Sequence, residues 1–140
     1  VWWSIPYPRE LRYISPNLHF VERGRETDIA TDPGHLNCGS TSGFGAVNFA
    51  VLLTRELNPK PPIYLVGFDY KATNGHWHAN PAHNISRTQH ATNWVRWAKE
   101  FDNLGPQLRK AGYTVYNTSE NTAITAFDRG QYEEHHLHRI

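Results

Sequence analysis

The chain has no methionine and a single cysteine, Cys38. One thiol excludes an intrachain disulfide and leaves no thiolate cluster to close a structural zinc site, and it fits a reducing compartment. Long apolar runs are missing as well. None approaches the roughly 20 residues that a helix needs to cross a bilayer, so no membrane span is expected. Val1-Trp2-Trp3 leads straight to Pro6 and Pro8, without the basic and apolar regions of a secretory signal. The expected location is therefore the cytoplasm. An excess of either charge is equally scarce: 14 Lys and Arg stand against 13 Asp and Glu, a formal +1. With no broad basic field, nucleic acid is not the expected partner.

What is present fits one soluble core. The 140 residues are 39% hydrophobic and 19% charged, a length that one domain can fill and a balance unlike that of disordered tails. The expectation is one domain over residues 1–140, with 1–36 as an irregular arm and loop. The opening segments already have the character of a folded interior. The chain accordingly reads as the C-terminal part of a longer protein.

To Gly24 the aromatics Trp2, Trp3, Tyr7, Tyr13 and Phe20 are spaced by Pro6, Pro8 and Pro16, a pattern of short turns with at most one short helix and strand. Residues 24–39 are polar and turn-rich without a period and read as exposed loop. Thr41-Ser42-Gly43 then opens a helix carrying Phe44, Val47, Ala50, Val51 and Leu57 on one face, with a hydroxyl as N-cap. That helix is expected to end near Leu57, before Pro59, Pro61 and Pro62. Ile63 to Phe68 is an apolar run ended by Asp69, the pattern of a buried parallel strand. A polar loop from Lys71 to Thr88 carries His76, His78 and His83. A second helix follows, with Trp94, Trp97, Ala98, Phe101, Leu104 and Leu108 on one face, Gly105-Pro106 as a kink or restart, and Gly112 as its stop. Tyr113 to Tyr116 is a second strand, ending at Asn117-Thr118-Ser119. Helices alternating with short apolar strands predict an α/β fold, a Rossmann-like three-layer sandwich with a mostly parallel sheet.

In such sheets ligands sit beyond the carboxyl ends of the strands. The candidate site residues follow from that rule: Asp69, Tyr70 and Lys71 at one strand end, Asn117 and Ser119 at the other. Ser40, Thr41, Ser42 and Gly43 form a hydroxyl-rich turn into a helix, where free N–H groups suit a phosphate. A plain N-cap accounts for the same residues, and without a Walker lysine the turn is not a P-loop. Asp69 could hold a ribose hydroxyl or a metal, or cap the next turn, and Lys71 could meet a phosphate as a point charge. His76 and His78 alternate onto one side of an extended segment and suit acid/base work near neutral pH. A metal there needs a third ligand, such as His83, His90 or Asp69. Glu133-Glu134-His135-His136-Leu137-His138 reads as an exposed terminal helix able to take a metal adventitiously, and Trp94 and Trp97 as core rather than base-stacking residues.

The string Thr41-Ser42-Gly43, a helix, then Ile63-Tyr64-Leu65-Val66-Gly67-Phe68-Asp69-Tyr70 resembles the TSG, helix, IYLxGxD arrangement of bacterial sialyltransferases of glycosyltransferase family forty-two. It looks closer still to phage-encoded norphogenetic-type proteins, which share a GxxSGxxAxNxA helix, an LxGxD strand, an HW-containing loop and a late strand ending in Asn. Those lie near the archaeal hydroxymethylpterin diphosphokinases. The similarity covers roughly residues 37 to 134. It implies a Rossmann-like sheet whose first βαβ unit precedes Val1, and a host-cytoplasmic location for a phage-encoded chain.

The resemblance further implies a nucleotide-activated donor of the CMP-sugar type, lying against Thr41, Ser42 and Gly43 on one side and Asn117 and Ser119 on the other. The sialyltransferases carry a phosphate-contacting tyrosine two residues after the strand-end Asp, where this chain has Lys71. Their general base is a histidine before the last long helix. His90 is its nearest counterpart, with His83, His78 and His76 as loop alternatives. The expected function is glycosyl transfer to an acceptor hydroxyl with no required cofactor. The alternatives are diphosphate transfer to a small heterocycle with a divalent metal, and a non-catalytic nucleotide-binding or virion-associated module. The acceptor stays open, as does a homo-oligomer.

Overall fold

The computed structural model describes residues 2–3, 19–71 and 87–130, with side chains described within 21–71 and 92–130. The chain divides into two compact units, Val1–Pro61 and Pro62–Ile140. The first holds β1 (Trp2–Trp3), β2 (His19–Phe20), β3 (Glu22–Gly24), β4 (His35–Asn37) and α1 (Ser42–Thr54); the second holds β5 (Ile63–Leu65), α2 (Arg87–Lys110), β6 (Val115–Asn117) and β7 (Asp128–Arg129).

Among the described residues every strand pairing is parallel, and the α/β class with parallel strands holds. Among the described residues the strands do not make a clear three-layer Rossmann sandwich. The strands form separate small sheets, ordered β1-β2, β3-β4 and β5-β6-β7, rather than one continuous sheet covered on both faces. Strand length explains part of this. Pro59, Pro61 and Pro62 deny β5 backbone donors on its amino side, and Gly67 turns away after Leu65 with φ +75°.

In the first unit β3 pairs with β4 in the register Glu22 to His35, Arg23 to Leu36 and Gly24 to Asn37. The loop expected over residues 24–39 is therefore corrected: it contains the end of β3 and all of β4. Three-residue strands carry too little alternation to stand out, and only the half-buried, buried, half-buried sequence of His35, Leu36 and Asn37 betrays a pleat. The pairing is continued by Glu22 N–H to the Gly34 carbonyl (2.9 Å) and Cys38 N–H to the Gly24 carbonyl (3.1 Å). Val21, Leu36 and Cys38 make a small core, against which Phe49 and Leu52 pack.

α1 begins as its sequence dictates. Thr41 is extended (φ −138°, ψ 151°) and its Oγ1 accepts the Phe44 N–H at 3.1 Å, the bond that makes threonine a good N-cap. The helix ends at Thr54, short of the expected Leu57, which is half-exposed. Its buried face is Phe44, Val47, Asn48 and Val51, the i, i+3, i+4, i+7 stripe of a core-facing helix. Asn48 is the odd member. Fully buried, it accepts the Ala30 N–H on Oδ1 at 2.6 Å and donates from Nδ2 to the Asn37 carbonyl at 3.1 Å. A buried amide is tolerated only when so paired, and here the pairing ties α1 to the end of β4 and to the preceding loop.

In the second unit β6 lies between β5 and β7, with Tyr64 opposite Tyr116 and their rings stacked at 5.4 Å. α2 supplies the core: Phe101, Leu104 and Leu108 are fully buried and Ala98 nearly so, over Leu65, Val115, Ile124 and Phe127. Of the expected kink or restart at Gly105-Pro106, the restart does not occur, since α2 runs from Arg87 to Lys110 with Pro106 inside. Pro106 is exposed, so water can serve the Asp102 carbonyl that lacks a helical donor. Gly105 is required by close packing, because a Cβ there would stand 2.5 Å from that of Ala126. Gly112 ends the helix at φ +80°, a left-handed turn in which its N–H meets the Arg109 carbonyl and that of Tyr113 meets the Leu108 carbonyl.

Replacing Asn48 by alanine strands a buried N–H and a half-buried carbonyl, and is expected to cost about 2–4 kcal/mol of stability. Replacing the half-exposed Leu53 by alanine is expected to cost under about 0.5 kcal/mol. Urea unfolding of both variants checks this, and equal midpoints would refute the role given to Asn48.

Candidate functional site

The residues expected to bind a ligand are divided between the two units: Ser40, Thr41, Ser42 and Gly43 in the first, and Asp69, Tyr70, Lys71, Asn117 and Ser119 in the second. His76 and His78, like His83 and the acidic and histidine-rich tail, lie outside the described residues. His90 falls in the first turns of α2, its side chain outside the described ones.

At the carboxyl ends of β5 and β6 two loops are stitched together by one amide. Asn117, 1% exposed, donates from Nδ2 to the Phe68 carbonyl (3.0 Å) and to Thr122 Oγ1 (3.2 Å), and its Oδ1 accepts the Ser119 N–H (3.0 Å). Thr122 Oγ1 donates to the same Phe68 carbonyl at 2.6 Å. Thr118 adds two bonds to the Leu65 carbonyl, from N–H and from Oγ1, both at 3.0 Å. Finally the Ala123 N–H reaches the Asp69 carbonyl at 2.7 Å. The strand-end asparagine thus organises the loops, with both ends of its side chain engaged inside the protein.

This stitching sets the conformation of residues 66–71. Tyr70 is held at φ +49°, the left-handed region that bulky residues rarely enter. Its ring packs edge-on against Phe101 (5.1 Å) and Trp94 (5.6 Å), which helps offset the backbone cost. Trp94 and Trp97 are themselves in edge contact at 5.2 Å and half-buried, consistent with the packing role read from their spacing. Beyond Tyr70 the chain delivers the Lys71 ammonium to Asn121 Oδ1 at 2.6 Å.

The resulting rim carries charge of both signs. Lys71 bonds to Asn121, and Arg129, exposed at the end of β7, bonds through its guanidinium to the Ser119 carbonyl. Both cations therefore dock on the short stretch Ser119–Asn121. The carboxylates of Asp69 and Glu120 are exposed on the same loops and form no ion pair with either cation among the described residues. Ser119 Oγ is buried with no hydrogen-bond partner there. Arg129, Asn121 and Thr122 were not legible as site residues. Their only sequence signal is the run of polar residues after the strand-end asparagine.

Below the rim α2 grips the same loop. Asp102 Oδ1 accepts the N–H groups of Thr125 (2.7 Å) and Ala126 (2.8 Å), and Arg109 donates to the Ala126 carbonyl (2.6 Å). Asp102, Gly105 and Arg109 fall on one helical face, so a carboxylate, a gap and a guanidinium line up to hold one turn of backbone.

In the first unit the Ser40–Gly43 turn opens α1. Thr41 spends its hydroxyl on the cap, Ser42 is exposed and Gly43 half-buried. Cys38, just before the turn, is buried and its thiol is pushed up by burial, which suits a packing residue rather than a nucleophile. A charge pairing lies beside the β3-β4 ladder. His35 Nε2 stands 3.1 Å from Glu26 Oε2 and Nδ1 3.9 Å from Glu22 Oε2. The hydrogen bond that His35 donates to Glu26, then the charges of Glu26, Glu22 and Asp32, raise His35 above its ordinary value. Glu26 is lowered first by its backbone hydrogen bond and next by that with His35. Among the described residues no group of three or more His, Cys, Asp or Glu could hold a metal ion, and no helix is long and apolar enough to cross a membrane.

Comparison with known proteins found no matching family model, no matching curated protein and no matching solved structure.

The His35–Glu26 pair is complete only with the imidazole protonated and the carboxylate ionised. Its contribution is present above the ordinary glutamate value of 4.5 and below the ordinary histidine value of 6.5. It fades as pH falls through the lowered Glu26 value or rises through the raised His35 value. In NMR titration His35 is expected to change charge above pH 6.5, and Glu26→Gln to bring its midpoint down. An unchanged midpoint in that variant would contradict the assignment.

Proposed function

We propose that the chain binds a nucleotide-activated donor at the carboxyl rim of β5, β6 and β7, and acts as a glycosyltransferase-like enzyme on an acceptor hydroxyl. The observation that carries the reading is the pair of cations, Lys71 and Arg129, docked on Ser119–Asn121 at the strand ends where α/β sheets take ligands. Each spends one donor on the loop and keeps others for an incoming anion. Lys71 would stabilise negative charge on the departing nucleotide phosphate. The exposed carboxylates of Asp69 and Glu120 suit ribose hydroxyls, which a pure phosphate site would not need. The general base in this reading is His90, or His78 or His76 of the preceding loop. A Rossmann-like arrangement, the CMP-sugar class of donor and the relation to sialyltransferases belong to this proposal and rest on the sequence resemblance.

A second reading is nucleotide binding at the same rim without turnover. Thr41 Oγ1 and the Asn117 amide, both assigned to the donor by resemblance, are occupied by bonds within the protein.

Calorimetric titration with CMP-, UDP- and ADP-sugars tests the proposal. One of the three is expected to bind, and Lys71→Ala to weaken it about 10- to 100-fold, the loss of one charge-assisted phosphate contact. Failure of all three to bind would remove the proposal, and binding without turnover would favour the second reading.

A further inference from the structure

At the opposite end of β6 from the rim, the second unit has a cleft of about 140 Å³ lined by Gly105, Leu108, Arg109, Tyr113, Thr114, Val115, Ala126, Phe127 and Asp128. It opens where β6 and β7 begin and where α2 ends, so it shares no lining residue with Asp69, Lys71, Asn117 or Ser119. Its lining is part apolar and part polar. Leu108 is fully buried, Val115 and Phe127 nearly so, and Gly105 lets the backbone of α2 come close to Ala126.

The rim of this cleft carries two opposite charges, Arg109 and Asp128, both exposed. Among the described residues they form no ion pair with each other or with a third group. Arg109 is fixed in place rather than free to wander. It donates one bond to the Ala126 carbonyl at 2.6 Å, and its remaining N–H groups have no protein partner among the described residues. Asp128 is fixed by its backbone, which pairs opposite Tyr116 in the parallel ladder. Thr114 places an exposed hydroxyl on the same edge.

Size and charge together select a ligand class. A cavity of about 150 Å³ admits a molecule the size of benzene, so the occupant has few heavy atoms. An anion alone would meet Asp128, and a cation alone would meet Arg109. A small zwitterion satisfies both, with its carboxylate on the planar guanidinium fork and its ammonium on the carboxylate. We propose that this cleft binds a small zwitterion of the free α-amino-acid class, its side chain seated against the small exposed parts of Val115 and Phe127.

The proposal is tested on the whole chain by NMR titration with glycine, alanine, valine and leucine, each also in N-acetylated and carboxamide-capped form. Saturable shifts are expected at Thr114, Val115 and Ala126 for at least one free amino acid. Capping either end of that amino acid is expected to weaken it at least about tenfold, as each cap removes one charge pairing. Asp128→Asn keeps shape and exposure and is expected to weaken the free amino acid by a similar factor. Thr114→Trp, at an exposed position on the cleft edge, is expected to block binding, with circular dichroism confirming that both variants fold. No saturable binding of any free amino acid would overturn the proposal. So would equal binding of the capped forms, or binding that Asp128→Asn leaves within threefold of the original.

Discussion

A single buried carboxamide governs the end of the second unit that carries the candidate site. Asn117 sits at the close of β6 with 1% of its surface exposed, and burying an amide there is tolerable only if both its ends find partners. They do so across distance in sequence on Phe68, and locally on Thr122 and Ser119. Once those bonds exist the loops have little freedom. Phe68 must present its carbonyl inward, Tyr70 is carried into the left-handed region against Phe101 and Trp94, and Lys71 arrives at Asn121. Asn48 does the corresponding work in the first unit, tying α1 to the end of β4 and the loop at Ala30. In both units a polar group inside apolar packing specifies how loops attach, a task that non-directional burial performs poorly.

The two places in the second unit where a ligand could bind differ in what makes them suitable. The rim at the carboxyl ends of β5, β6 and β7 offers charged side chains anchored through their bonds to one short loop. The cleft at the amino ends of β6 and β7 offers a partly apolar lining with one charge of each sign. The loop from Thr118 to Phe127 borders both, stitched to the rim by Thr118, Thr122 and Ala123 and gripped from α2 by Asp102 and Arg109.

Elements with a long period were legible in the sequence. The stripe Phe44, Val47, Val51 and the stripe Ala98, Phe101, Leu104, Leu108 are buried as their spacing requires, and Thr41 and Gly112 mark a helix start and a helix stop through their own chemistry. β5 and β6 were read a little long, because an apolar run does not show where the ladder ends. β3, β4 and β7 were missed, since two or three residues carry no period and their pairing is set by partners elsewhere. The site was legible in position only. Asn117 does close a strand, whereas β5 ends at Leu65, before Asp69, and the role of Asn117 depends on Phe68, 49 residues away, which no local pattern reveals. Asn48 left a faint trace, a polar residue on the apolar stripe of a helix. Arg129 left none, being exposed on a strand of two residues.

Native-state hydrogen exchange at Thr118 and Ala123 tests most directly whether Asn117 holds the rim together. Their amides bond to the Leu65 and Asp69 carbonyls, not to Asn117 itself. In the native chain both are expected to exchange nearly as slowly as the amides of Phe101 and Leu104 in α2. In Asn117→Ala both are expected to lose protection while α2 keeps its own. Fast exchange at these amides in the native chain, or protection unchanged by the substitution, would contradict the account.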